Sequence, residues 1–283
     1  MSLAGGMIAV EALRTMLADR GARIGRAVEY HASIGSTNDR ARELAAVGEP
    51  EGLVVLAGEQ TRGRGRAGRS WHSAPELGLY LSVLLRPTGA GERVPLVALA
   101  AAVGVASGLR AASGVDLRIK WPNDLVVDPP DGSRRKIGGI LTEGRAGVEG
   151  VREVIVGVGV NLNHDSGDFP AELRESAGSL RMERGRRIDP TGAALALLEG
   201  LERWYVTWRE QGDAPVLAAY RDLGVGLEGH AVRVAGPGGS WTGVTAGLSE
   251  DGALRVRRDA PEGGTRGEIV AVRFGEVERV EET

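Results

Sequence analysis

Apolar spacing in this chain changes near Leu227, and the change limits the fold more than any single composition figure does. Upstream, strand-length apolar runs alternate with longer stretches of helical period. Downstream, short alternating runs at Ala231–Val234, Gly243–Leu248, Leu254–Arg257 and Glu268–Arg273 are parted by Gly-Pro-Gly-Gly, Glu-Asp-Gly and Glu-Gly-Gly turns. Two units are therefore expected. Residues 1–224 form a mixed α/β body, and residues 225–283 form a small all-β barrel of roughly 60 residues, near the lower size at which domains fold alone.

Within the first unit, strands are expected at Tyr30–Ile34, Leu53–Ala57, Leu79–Leu85, Leu117–Lys120, Leu125–Val127, Gly138–Glu143 and Val154–Val160. Helices are expected at Ile8–Ala22, from Ser36-Thr37-Asn38 onward, and at Pro95–Ala112, Thr191–Gln211 and Ala214–Leu223. The Ser36 and Thr37 hydroxyls, and Asp189 or Thr191, are the cap candidates.

Composition removes several classes of protein. A net charge of -3 argues against a chain built to coat nucleic acid. There is no cysteine, hence no disulfide framework and no thiolate metal site. No basic start leads into an apolar run, and no window reads as a membrane span, so a cytoplasmic protein is expected.

Four stretches carry chemistry. In Gly58 through Trp71 glycines alternate with Arg62, Arg64, Arg66 and Arg69, offering backbone N–H groups and guanidinium forks to phosphate or carboxylate. Lys120-Trp121-Pro122-Asn123-Asp124 sets a lysine, an amide and a carboxylate at a joint where proline must interrupt strand pairing. Lys136-Ile137-Gly138-Gly139 puts a cation beside strand backbone that a ligand can approach. Gly157-Val158-Gly159-Val160-Asn161 ends a glycine-spaced strand in an amide. Each alone also reads plainly, as a solvated basic loop, an edge turn, a hairpin end or close packing.

Neither a dinucleotide fingerprint nor a Gly-Lys-Ser/Thr phosphate loop is present. His31, His72, His164 and His230 lie far apart in sequence without metal spacing, and no metal ligand set is expected. Ser36 has no evident His/Asp pair. Trp204, Tyr205 and Trp208 follow helical spacing and are expected in the core.

Taken in order, these segments together with Ser36-Thr37-Asn38 resemble the biotin–protein ligase family over roughly Tyr30 to Leu162, and the β tail resembles that family's SH3-like end. The resemblance implies an α+β catalytic domain with a mixed sheet, and a reaction joining biotin to ATP as biotinyl-AMP before transfer to a lysine of a biotin carboxyl carrier domain. It implies that Ser36, Thr37, Asn38, Gln60, Gly63, Arg64, Lys136, Gly138 and Gly139 bind biotin. Arg66, Arg69, Trp71, Lys120, Asn123 and Asn161 would bind ATP and the adenylate. Lys136, Arg66 and Asp124 would be catalytic, and Mg²⁺ would accompany ATP. Only about 35 residues precede Ser36, too few for the winged-helix domain of the repressing members, so no sequence-specific DNA binding is expected. A lipoate–protein ligase and a non-catalytic RNA-binding module are the rival readings. The Gly-Arg-Gly-Arg loop disfavours the first and the net acidity disfavours the second.

Overall fold

In strand β3 (Gly78–Leu85), Leu79, Leu81, Val83 and Leu85 join the main core while Leu84 joins a second, smaller cluster across the sheet, as a two-residue side-chain period requires. That division organises the molecule. The computed structural model describes residues 7–87, 94–129, 132–147, 150–236, 239–259, 267–273 and 276–279.

The larger sheet holds eight strands: β1 (Ala27–His31), β2 (Leu53–Ala57), β3, β4 (Arg118–Lys120), β5 (Asp124–Val127), β6 (Arg135–Gly147), β7 (Gly150–Asn161) and β8 (Gly224–Val225). Their order is β1-β2-β3-β7-β6-β5-β4-β8. The β1/β2 and β4/β8 pairs are parallel and the rest antiparallel, which is the expected mixed sheet. Val225, at the expected boundary between units, is paired to Lys120 in this sheet.

One face is covered by α3 (Val94–Ser113) and α5 (Pro190–Gln211), with α1 (Val10–Asp19) and α6 (Asp213–Leu223) beside them. Asp189 caps α5, accepting from Thr191 N at 3.2 Å and Gly192 N at 2.9 Å, with Pro190 opening the helix. Tyr205 and Trp208 are buried in the core and Trp204 packs against it. Each fully buried leucine or valine there stabilises the fold by ~1.5–3 kcal/mol relative to exposure. From Pro95 to Ser113 the chain is apolar enough to cross a membrane by length and composition, which the sequence reading did not anticipate. Since 72% of that window is buried in the protein, α3 reads as a core helix.

The other face carries α2 (Thr37–Ala46). A further short helix, α4 (Leu180–Arg184), capped by Ser179 and ended by Gly185, was not expected.

Among the described residues, five strands form the second sheet: β9 (Glu228–Gly236), β10 (Gly239–Leu248), β11 (Leu254–Arg258), β12 (Ile269–Val272) and β13 (Glu276–Arg279), in the order β12-β11-β10-β9-β13. The Glu-Gly-Gly turn at 262–264 lies outside the described residues. Two expectations shift. β1 starts at Ala27 and ends at His31, where its parallel partner β2 ends, and Ile34 bridges instead to Gln60. β6 and β7 run past their apolar centres because charged residues such as Arg145 and Glu153 pair across the hairpin.

Candidate active site

Alternation on β6 and β7 builds the floor of a cavity. Val156, Val158 and Val160 enter the main core, so Gly157, Gly159 and Asn161 face the opposite side, toward α2. On β6, Gly139 pairs with Gly159 and shares that face, whereas Gly138 looks into the core. A Cβ on Gly138 would meet Leu125 Cδ1 at 3.0 Å. Two glycines on β7 are required by contact. A Cβ at Gly157 would stand 2.1 Å from Asn38 Oδ1, and one at Gly159 would stand 2.6 Å from Trp71 Cε2.

The arginine–glycine loop closes on itself: Arg64 bridges to Ser70, Gly65 N donates to Arg69 O, and Trp71 N donates to Gly63 O. Ala67 takes the turn at φ 54°. This hairpin delivers Trp71 onto the glycine floor, with its Nε1 buried and without a hydrogen-bond partner among the described residues. Gly63 packs against the Trp71 carbonyl and supports the loop without lining the cavity.

The Lys-Trp-Pro-Asn-Asp segment is the β4–β5 turn. Lys120 lies opposite Asp124, and the Trp121–Pro122 peptide is cis. Trp121 is buried and donates from Nε1 to Gly252 O at 3.1 Å, tying the turn to the second sheet. Tyr220 on α6 donates to Pro122 O at 3.0 Å. Burial, and next the Asp124 carboxylate, pushes the Tyr220 phenol well above its ordinary pKa, so it remains a neutral donor. Asn123 accepts from Arg66 at 3.3 Å and donates to Ile140 O. Lys136 pairs with Asp124 at 2.6 Å and stands 5.6 Å over the Trp71 ring.

At the other end, the first turn of α2 is not capped by Ser36, contrary to expectation; Ser36 makes no side-chain cap bond. Gln60 does this work, its Oε1 accepting from Thr37 N at 2.9 Å and lying 3.0 Å from Thr37 Oγ1. The Ile34–Gln60 bridge brings it there. Asn38 donates to Glu143 at 2.7 Å. Arg64 reaches Asp39 at 2.8 Å and Glu143 at 3.1 Å.

These groups share one cavity of about 690 Å³, within the ~300–1,000 Å³ usual for small-molecule sites. Every residue expected at the site lines it except Gly63 and Gly138. Asn161 is there too, but its amide is engaged, donating to Gly178 O at 3.0 Å and Lys136 O at 3.4 Å. At one end the neutral polar groups of Ser36, Thr37, Asn38 and Gln60 line the cavity with Arg64 tied up by two carboxylates; the other end carries Arg66, Arg69, Lys120 and Lys136.

Residues 30–161 match the model of the biotin/lipoate A/B protein ligase family. The bifunctional ligase/repressor BirA of Bacillus spizizenii is 37% identical over 231 residues, covering 82% of this chain and 69% of that protein. The biotin–[acetyl-CoA-carboxylase] ligase of Paracoccus denitrificans is 32% identical, covering 80% of this chain and 92% of the relative. The chain belongs to the biotin–protein ligase family. Among solved structures, the biotin protein ligase of Aquifex aeolicus in complex with biotin and ATP superimposes with a TM-score of 0.75 at 26% identity, covering 90% of this chain and all of that one.

Sequence reasoning missed one wall of this ligase's site. Phe169, Leu173, Ser176 and Ala177 line the cavity from the segment after β7. His72 lines the cavity too, and the fold sets it beside a histidine that sequence distance had separated from it: the His72 and His164 rings are 6.4 Å apart, and His164 stacks on Phe169 at 4.9 Å. Burial, and then His72, pushes the His164 pKa down to about 4. The neutral ring supports Phe169 by stacking. A second omission was Glu143 together with Ser82, whose only sequence signal was a lone hydroxyl inside an apolar strand.

Proposed function

We propose that this ligase activates biotin with MgATP to biotinyl-AMP, releasing pyrophosphate, and then transfers the biotinyl group to one lysine of a biotin carboxyl carrier domain. The observation that carries this reading is the polarity of the cavity described above. A neutral polar end formed by the buried Ser36, Thr37 and Asn38, with the half-buried Gln60 beside them, continues into a cationic end formed by Arg66, Arg69, Lys120 and Lys136. An elongated substrate with an uncharged polar head and a carboxylate tail matches that order.

In this reading Ser36, Thr37 and Gln60 hold the ureido head, with Asn38 and Arg64 behind them, and Gly139 lies along the tail. The biotin carboxylate oxygen attacks the α-phosphorus and pyrophosphate leaves. Lys136 and Arg66 offset the negative charge concentrated there, since preorganised cations act where charge develops. Trp71, Arg69 and Asn161 surround the nucleotide. Lys120 and Asn123 stand beside the reaction centre. Mg²⁺ would accompany ATP, held by its phosphates and by water, and would offset the phosphate charge. Asp124 is the one carboxylate lining the cavity among the described residues.

In the second step the acceptor lysine attacks the mixed-anhydride carbonyl, forming the amide and releasing AMP. Asp124, once Lys136 turns to the ligand, is placed to take the ammonium proton. The arginine–glycine loop covers the anhydride and limits hydrolysis. Residues 1–224 carry the chemistry, while the second sheet lends Ala235, Gly236 and Val277 to the rim. The cytoplasm, which supplies ATP and carrier, is the compartment this implies.

Incubation of the purified chain with biotin, MgATP and a carrier domain tests the proposal by mass spectrometry. One acceptor mass shift equal to covalent biotin, absent without ATP, is the expected result. Absence of both the shift and biotinyl-AMP overturns it. Biotinyl-AMP without transfer leaves the first half standing and shifts the question to the acceptor.

A further inference from the structure

Apart from Tyr80, strand β3 contains one hydroxyl, Ser82, and it is wholly buried at the centre of the large sheet. A buried hydroxyl without partners costs about 1–3 kcal/mol, so its contacts are informative. Ser82 Oγ lies 2.6 Å from Asn38 Oδ1 and 2.7 Å from Thr37 Oγ1, and Thr37 Oγ1 lies 3.0 Å from Gln60 Oε1. The two amides are oriented by their other partners. Asn38 Nδ2 must face the Glu143 carboxylate at 2.7 Å, and Gln60 Oε1 must face the Thr37 N–H at 2.9 Å.

Three oxygen–oxygen contacts therefore share two hydroxyl protons. One contact must go without. If Thr37 gave its proton to Gln60, bare lone pairs would meet at 2.6 or 2.7 Å. The longest contact, Thr37 to Gln60, is the one that can be left empty, because Gln60 Oε1 keeps the Thr37 N–H. The chain then runs in one direction: Thr37 donates to Ser82, Ser82 to Asn38, and Asn38 to Glu143. Arg42 at 3.0 Å and Arg64 at 3.1 Å hold the Glu143 end.

We propose that Ser82 and Glu143 are positioning residues that turn the Thr37 hydroxyl into a dedicated hydrogen-bond acceptor for one ureido N–H of biotin. This deepens the biotin reading above and rests on it. The donor is spent inward, so Thr37 faces the cavity with lone pairs. A ligand N–H completes a relay ending on a carboxylate, and such chains strengthen each member.

The test compares biotin with the two carbamate analogues in which one or the other ureido N–H is replaced by a ring oxygen, using calorimetric titration of the full chain. For the wild-type chain, one analogue is expected to bind at least about tenfold more weakly than the other, the scale of one lost hydrogen bond with an unmatched partner. In Ser82→Ala the biotin Kd should rise about tenfold, while the penalty separating the two analogues shrinks to about threefold or less. Ser82→Thr should restore most of it. The KM for biotin should carry the loss, with kcat nearly unchanged. Equal binding of both analogues by the wild type, or a folded Ser82→Ala that keeps the full penalty, overturns the proposal. Where Ser82→Ala does not fold, Ser82→Thr and equal binding of the two analogues by the wild type still put the proposal at risk. A wild type that binds no biotin sinks the substrate reading itself, a result visible before any variant is made.

Discussion

The two ends of the cavity are built differently. At the α2 end, Ser36, Thr37 and Asn38 are each under 5% exposed, and Asn38 is bonded on both faces of its amide. At the far end Lys136 is 38% exposed in its side chain and is held by the Asp124 carboxylate. The contrast follows from what each end must do. An uncharged head is the same in substrate, intermediate and product, so rigid donors and acceptors suit it. A carboxylate loses its charge on becoming an anhydride, and phosphate charge arrives beside it and then leaves with AMP, so cations that can exchange partners suit that end better.

Breaking the adjustable end should have the largest effect. Lys136→Ala is expected to slow biotinyl-AMP formation by roughly 100-fold or more at saturating substrates, read as pyrophosphate release, while the biotin Kd moves far less. A Kd that rises in step with the rate loss would mean that the two ends are one. The reverse break is Gly157→Ala. Its Cβ would stand 2.1 Å from Asn38 Oδ1, and relief by moving Asn38 should raise the biotin KM about thirtyfold, equivalent to ~2 kcal/mol, with kcat largely kept. Steady-state kinetics in biotin alone separates those outcomes.

The contrast also explains what could be seen in the sequence. Lys120 through Asp124, the arginine–glycine loop and Gly157 through Asn161 announce themselves through local composition, and the cavity gathers them. The strands Leu53–Ala57 and Leu79–Leu85 were legible because apolar length and turn residues mark them. Glu143 and Ser82 were not, since a glutamate late in a strand and a serine among leucines gain meaning only when α2 lies across β3, β6 and β7. His72 and His164 stand 92 positions apart, and no periodicity predicts that a loop and a post-strand segment meet. β8 has two residues and β13 four, too short for an alternation to register. Gln60 in place of Ser36 as the α2 cap shows the same limit: the local rule named a hydroxyl, and a long-range amide won.

Acid should loosen the cationic end first, because His164 supports its Phe169 wall. The unfolded histidine titrates near its ordinary value of 6.5 and the folded one at about 4. Protons therefore bind the unfolded state preferentially between these values. The stability conferred by the neutral ring is complete above 6.5 and falls as pH drops toward 4. Going from pH 7 to pH 5.5 this group should remove about 1 kcal/mol. His164→Phe, which keeps the stack and lacks the titrating nitrogens, should flatten that part of the stability–pH curve in urea melts. An unchanged slope would show that another group titrates there.

The smallest effect sharpens the comparison from the ordered end. Arg42 contacts both Asp39 at 2.8 Å and Glu143 at 3.0 Å, yet its side chain is 43% exposed. Arg64 contacts the same two carboxylates, so removing Arg42 leaves neither one unpaired. Exposed ion pairs of this kind contribute about 0–1 kcal/mol, and salt screens them. Arg42→Ala should therefore raise the biotin KM by no more than about threefold at low ionic strength, and less at high salt. A loss as large as that of Gly157→Ala would mean that the order of this end comes from charge at the cavity rim rather than from the buried hydrogen bonds beneath it.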